Sequence, residues 1–357
     1  MVARKFSGLN SDGVRLDPRL VLEQGGNKIA FDALEGLAGR SICGHDDMGR
    51  ATTIELCRFA SLLEISEIAK HHPLDGKLVI TAFFEASTRT RLSFESAVLR
   101  LDGKVLSVPD GKVTGVAKGE SLADIGEMFN SYGDLVVLRH PKTDAVAEIG
   151  SYLTLPLVNA GNGSGEHPTQ ALVDWYALLK WRPSLAAVEV PAADKIHLGI
   201  VGTPGNMRAV KSFMFMALRF GRALRKITVV SEMVDPFGVE LQAAVEASDV
   251  PVEVTHDVAE GLPDFDVIYM NSIALLGDSY KQLGARYRLD ADTPLKDGAV
   301  VLHPLARREE LDTSLDATEH NLYFAQAAGA VFLRQALLIC LLDRIKALPT
   351  SVLYLAS

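Results

Sequence analysis

Short runs rich in Val, Ile, Leu and Tyr alternate with helix-periodic stretches along most of this chain. That alternation constrains the fold more than any other feature. LVITAFF (78–84), KVLSV (104–108), DLVVLR (134–139) and LPLVNA (155–160) read as strands in the first half. KIHLGIVG (195–202), KITVVS (226–231), VPVEVT (250–255), DVIYMN (266–271) and AVVLHP (299–304) do so in the second. Between them, stretches such as RLSFESAVLRL, LADIGEMFNSY and MRAVKSFMFMALRFG carry apolar residues at helical spacing. Strands apolar on both faces and separated by helices belong in parallel sheets that helices cover. The expected fold class is α/β, with two doubly wound parallel-sheet domains joined by helices. A length of 357 residues has room for both. The break is expected near residues 160–185, where the Gly-rich AGNGSGEHP precedes a helix. A final helix, at about 325–346, is too apolar to hang free and is expected to pack back onto the first domain.

Composition removes several function classes. Hydrophobic residues make up 48% and charged residues 23%, an ordinary globular balance, and the net charge of −9 disfavours a nucleic-acid partner. Cys43, Cys57 and Cys340 lie far apart without a CxxC pair, so three buried thiols are expected rather than a disulfide or a metal site. MVARKFSGLNSDGVRLD lacks the apolar core of a secretory signal, and no run reaches the roughly 20 apolar residues that cross a bilayer. A cytoplasmic location with no membrane contact is expected.

The chemistry concentrates at strand ends. FFEASTRTRLSFE (83–95) sets Ser87, Thr88, Arg89 and Thr90 where a strand gives way to a helix. A helix N-terminus offers unpaired N–H groups and partial positive charge, and hydroxyls with a guanidinium make it suited to a phosphate-type anion. One capping Ser would serve an ordinary helix start; the whole STRTR run is more than capping needs. Arg139 in LRHP and His167 and Gln170 in EHPTQALVDW also fall at strand ends or helix starts, where ligands of open α/β sheets bind. Each has an ordinary alternative, as a surface arginine or a helix cap. Lys118 in KGESLADI sits in a polar loop before a helix, where solvation would be unremarkable. IVGTPGNMRAVKS (200–212) imitates a dinucleotide loop but lacks G-x-G-x-x-G spacing. VVLHPLARREE (300–310) ends another strand in His-Pro. Arg, His, Gln, Lys and hydroxyls without a metal cluster or a nucleophile–base pair suit binding an anion and stabilising an oxyanion.

In this order and spacing, FFEASTRTRLSFE, KGESLADI, LRHP, HPTQALVD and VLHPLARREE resemble the transcarbamoylases, and their aspartate branch in particular. The resemblance covers the chain from about residue 45 to about residue 345. It implies an N-terminal extension (1–45), a carbamoyl-phosphate domain (46–165 with the C-terminal helix 326–357) and an acceptor domain (166–325). Homotrimers with shared active sites are also implied, and no cofactor. By the same resemblance Ser87, Thr88, Arg89 and Thr90 form the phosphate cradle, and Thr90, Arg139 and His167 surround the carbamoyl oxygen. Gln170 and the Pro304–Leu305 backbone hold the carbamoyl amide. Lys118, with Thr114 or a nearby hydroxyl, comes from a neighbouring subunit. Arg208 takes an acceptor carboxylate. An amine then attacks the carbonyl carbon directly and phosphate leaves.

One motif departs. The aspartate branch carries Arg-x-Gln after the strand that here reads DVIYM, whereas this chain has Ser272 and Ala274. A buried carboxylate without its partner costs about 3–5 kcal/mol, or roughly two to three and a half orders of magnitude in affinity. Either Lys281, Arg286, Arg288 or Arg308 substitutes, or the acceptor has one carboxylate fewer. Ornithine is disfavoured, because His303-Pro304-Leu305-Ala306 lacks that branch's cysteine. Three readings stand: carbamoyl transfer to aspartate or a related amino acid, transfer to another amine, and a non-catalytic carbamoyl-phosphate-binding scaffold.

Overall fold

The computed structural model describes residues 16–115, 119–271 and 287–349. Its first sheet holds β1 (Leu78–Phe83), β2 (Lys104–Val108), β3 (Leu135–His140) and β4 (Leu157–Asn162), all parallel, in the order β2-β1-β3-β4. The second holds β5 (Ile196–Val201), β6 (Leu224–Val230), β7 (Val252–Thr255), β8 (Val267–Met270) and β9 (Val300–Leu302), also parallel, in the order β7-β6-β5-β8-β9. Each strand falls on one of the apolar runs named above.

Burial on both faces fails at two of the four edge strands. β1 and β5 are buried almost throughout, whereas β2 alternates between exposed and half-buried and β7 is largely half-buried. Both are edge strands, but so are β4 and β9, which are buried throughout; KVLSV and VPVEVT are as apolar as core strands without being core.

Ten helices are described, numbered in chain order: α1 (Arg19–Glu23), α2 (Phe31–Glu35), α3 (Arg50–Ile65), α4 (Thr88–Arg100), α5 (Leu122–Tyr132), α6 (Ala145–Gly150), α7 (Pro168–Trp181), α8 (Arg208–Arg219), α9 (Gly238–Glu246) and α10 (Tyr323–Leu341). The chain divides into two compact units, one of residues 18–172 with 330–357 and the other containing 173–329. The divisions fall inside α7 and α10. α10 is long and apolar enough to cross a membrane, but most of it is buried in protein, as in a core helix.

In the first unit Ile80, Ala82, Val136, Leu138 and Leu157 pack beneath Leu122, Ile125 and Phe129 of α5 and Val146 and Ile149 of α6. Residues 18–45 are integral to it. Ile42 donates its N–H to Leu157 and accepts from Asn159, both at 2.8 Å, which covers the open edge of β4. In the second unit Val201, Val230, Phe265, Ile268, Met270 and Val301 form the core with Tyr287, Leu289, Leu311 and Tyr323. Trp175 of α7 stacks on Phe220 at 4.0 Å, and Phe213 of α8 stacks on Tyr269 of β8 at 4.0 Å. The three cysteines are free thiols, but only Cys57 and Cys340 are buried. Cys43 is half-buried because its segment lies along the sheet edge.

Candidate active site

In both sheets the chain reverses its direction of winding once, between β1 and β3 and between β5 and β8. Ligands of such sheets bind outside the carboxyl ends of the strands at these points. The STRTR run follows β1, Arg139 lies at the end of β3, Arg208 opens the helix after β5, and Ser272 follows β8 in sequence.

At the first point α4 begins at Thr88 with Ser87 as its N-cap in extended backbone, yet Ser87 makes no side-chain capping bond. Its hydroxyl is not spent on its own helix. Thr88 and Arg89 are exposed, whereas Thr90 is buried with Oγ1 at 3.4 Å from Nε2 of His167. Arg139 faces β4: its guanidinium donates to the Ala160 carbonyl at 3.2 Å, and its Nε lies 3.3 Å from Glu85. The Phe84 N–H donates to the Arg139 carbonyl at 2.8 Å, so the end of β3 is tied to the start of the cradle.

The rest of FFEASTRTRLSFE serves the fold. Arg91 pairs with Glu95 one turn on, at 3.3 Å. Ser93 back-bonds to the Thr90 carbonyl at 3.0 Å and receives a hydrogen bond from Arg334 of α10, whose guanidinium lies 4.5 Å over the Phe94 ring. The other half of LRHP is also structural. Buried His140 accepts the Lys142 N–H on Nδ1 at 3.1 Å, and burial, with Lys142 nearby, lowers its pKa.

His167 stands at the start of α7 after a turn that only particular residues permit. Gly163 has φ +48, and a Cβ there would meet the Pro141 carbonyl at 2.8 Å. The Asn162 side chain accepts the Glu166 N–H at 2.9 Å, the Asn159 amide donates to Asn162 at 2.9 Å, and His45 reaches the Glu166 carboxylate at 2.8 Å. His167 itself is buried and Gln170 half-buried, with the Gln170 N–H on the His167 carbonyl at 2.9 Å.

In the second unit Gly202, at φ +137, ends β5, and Arg208 is the half-buried first residue of α8. Pro304 and Leu305 follow β9 after His303 and are half-buried. Thr114 binds the Gly111 carbonyl at 2.6 Å. Lys118, Ser272, Ala274, Lys281 and Arg286 lie outside the described residues. Arg288, one of the suggested substitute cations, is engaged by Asp312 at 2.6 Å, and Arg308 is exposed.

Against known proteins, residues 40–180 match the model of the aspartate/ornithine carbamoyltransferase carbamoyl-P binding domain. Residues 194–341 match that of the Asp/Orn binding domain. The chain belongs to the aspartate/ornithine carbamoyltransferase family. Within this family it is 33% identical to the aspartate carbamoyltransferase catalytic subunit of Pyrobaculum islandicum, over 85% of this chain and 99% of that one. The corresponding subunit of Picrophilus torridus is 35% identical, over 75% and 86%. Crystal structures of Trypanosoma cruzi aspartate transcarbamoylase are similar at 30% identity. The complex with carbamoyl phosphate has TM-score 0.78, covering 87% of this chain and 98% of that chain. The complex with N-(phosphonacetyl)-L-aspartic acid has TM-score 0.77, covering 86% and 97%.

Several residues in contact with the candidate residues or their supports escaped the sequence reading. Glu85 lies inside the quoted motif, but nothing in sequence places it against Arg139. Asn159 reads as the tail of a strand and Asn162 as part of a Gly-rich turn. Glu310 and Gln326 are ordinary polar residues in sequence; nothing there shows that Glu310 is buried against His303, and Gln326 pairs with Asp174 far away along the chain.

Proposed function

We propose that this protein transfers the carbamoyl group of carbamoyl phosphate to the α-amine of aspartate and releases phosphate. The observation that carries the proposal is the uncapped start of α4, with exposed Thr88 and Arg89 and the Thr90–His167 pair, at a sheet's winding reversal. Ser87, Thr88, Arg89 and Thr90 hold the phosphate. Thr90, Arg139 and His167 donate to the carbonyl oxygen as it becomes an oxyanion, and Gln170 with the Pro304–Leu305 backbone orients the amide. A neutral amine adds to the carbonyl carbon, the C–O bond to phosphate breaks, and the departing phosphate takes the amine's proton. Position and preorganised charge supply the rate enhancement. Arg208 takes an acceptor carboxylate and Lys118 is supplied by a neighbouring subunit, so this reading requires an oligomer, and a cytoplasmic homotrimer is the assembly proposed.

A second reading, transfer to an amine with one carboxylate fewer, is favoured by Ser272 and Ala274 in the acceptor loop and by Asp312 holding Arg288. Purified protein given carbamoyl phosphate and a panel of amines, with ureido product and phosphate measured, separates the two. Turnover with aspartate at ordinary concentrations excludes the second reading, and turnover only with another amine excludes the first. Carbamoyl phosphate binding without turnover on any amine leaves a scaffold.

A further inference from the structure

Below the Pro304–Leu305 backbone lies a chain of buried polar groups, all within the second unit. The Leu305 N–H donates to Nδ1 of His303 at 2.7 Å, and Nε2 of His303 lies 3.0 Å from Oε1 of Glu310. The His303 N–H donates to Gln326 at 3.0 Å, Gln326 donates to Asp174 at 2.5 Å, and the Tyr269 hydroxyl donates to the same carboxylate at 2.8 Å. His303 and Glu310 are each 1% exposed. Keeping a carboxylate there costs free energy unless it is well paired. Burial alone would raise its pKa, but bonds from His303 and from the Arg308 N–H hold it below the ordinary value, so it stays charged.

The bonds fix the imidazole's proton. Leu305 needs a lone pair on Nδ1, so the hydrogen of neutral His303 must be on Nε2, where the Glu310 carboxylate accepts it. Without Glu310 the Nδ1–H tautomer becomes accessible, and it would set a donor against the Leu305 N–H. Leu305 has φ +57, a conformation unfavourable for a β-carbon-bearing residue that surrounding bonds must maintain.

We propose that Glu310 is a positioning residue: it locks the His303 tautomer, and His303 in turn holds the Pro304–Leu305 backbone in register for the carbamoyl amide. The inference rests on the carbamoyl-transfer reading for its consequence but not for its geometry. The sequence of effects is residue to residue, with neither side chain touching substrate.

The test compares Glu310→Ala, Glu310→Gln, His303→Ala and His303→Asn with the wild-type protein. The glutamine retains an oxygen acceptor for Nε2–H. The asparagine at 303 can accept the Leu305 N–H in an Asx turn without any contribution from Glu310. Expected is a fall in kcat of about 100-fold for the two alanine variants, the scale of an ångström-sized misplacement. Glu310→Gln and His303→Asn should recover most of it, while the Kd for inorganic phosphate stays within about twofold throughout, since a single lost cradle contact would shift it far more. Wild-type kcat in the alanine variants, no recovery in either conservative variant, or parallel loss of phosphate affinity each overturns the assignment. Amide exchange at Leu305 provides the readout if the wild type turns over no amine. Faster exchange in Glu310→Ala then supports the lock, and unchanged exchange overturns it, whatever becomes of the proposed reaction.

Discussion

Two helices of the first unit begin with serine, and the serines do different things. Ser121 caps α5 by accepting the Asp124 N–H at 3.1 Å, and its own hydroxyl donates to the Asp124 carboxylate at 2.7 Å. Ser87 precedes α4 in extended backbone and caps nothing. The first helix end is satisfied by its own residues, as most are. The second leaves its serine hydroxyl out of the cap and its Arg89 guanidinium exposed, which is what an anion site needs. A serine withheld from capping is more informative than a serine at a helix start.

The difference can be broken experimentally, and the largest effect should come from Arg89→Ala. Losing the guanidinium from a charge-paired anion site costs about 3–5 kcal/mol, or roughly two to three and a half orders of magnitude in affinity. Calorimetry with carbamoyl phosphate checks it, and retained tight binding would refute the cradle. Next come the two serines. Ser121→Ala should cost about 1 kcal/mol of stability and leave anion affinity alone. Ser87→Ala should leave stability nearly unchanged and weaken phosphate binding about tenfold, as for one hydrogen bond to a charged group. If both variants lose stability equally, the contrast between the two helix starts is wrong.

Tyr269→Phe extends the contrast to the satisfied polar groups of the second unit. It leaves one Asp174 oxygen short of its donor in a fully buried place, and should cost about 1–3 kcal/mol in denaturant unfolding. Asp134 provides a pH test. Burial would raise its pKa, but the Leu78 N–H and Lys77 at 2.9 Å outweigh that and bring it below 3.8. A depressed carboxylate stabilises the fold above its unfolded pKa, and the gain is lost as pH falls through the folded value. The stability difference between wild type and Asp134→Asn should therefore be full near neutrality and shrink as pH drops below 3.8.

The smallest effect concerns Cys43. Its thiol pKa is pushed up to about 11 by burial and by Asp47, so alkylation at pH 7 should be slow and should accelerate as pH rises toward that value. Rapid labelling at pH 7 would contradict it.

Sequence alone determined the parallel α/β architecture, because strands buried between helices must be apolar runs and helices must carry their own period. The same local logic located Ser87, Thr88, Arg89, Thr90, Arg139 and His167 at strand ends and helix starts. Sequence could not decide which hydroxyls and arginines of FFEASTRTRLSFE face outward. That depends on where Glu95 and Arg334 lie, and Arg334 is more than two hundred residues away along the chain. Nor could it separate buried strands from the more exposed edge strands β2 and β7, since burial depends on what packs against a strand and the edge strands β4 and β9 are buried. The lock on Leu305 was equally hidden. His303 and Glu310 are close in sequence, but Gln326 on α10 and Asp174 on α7 join them only through tertiary packing, and a buried carboxylate is recognisable only once its burial is known.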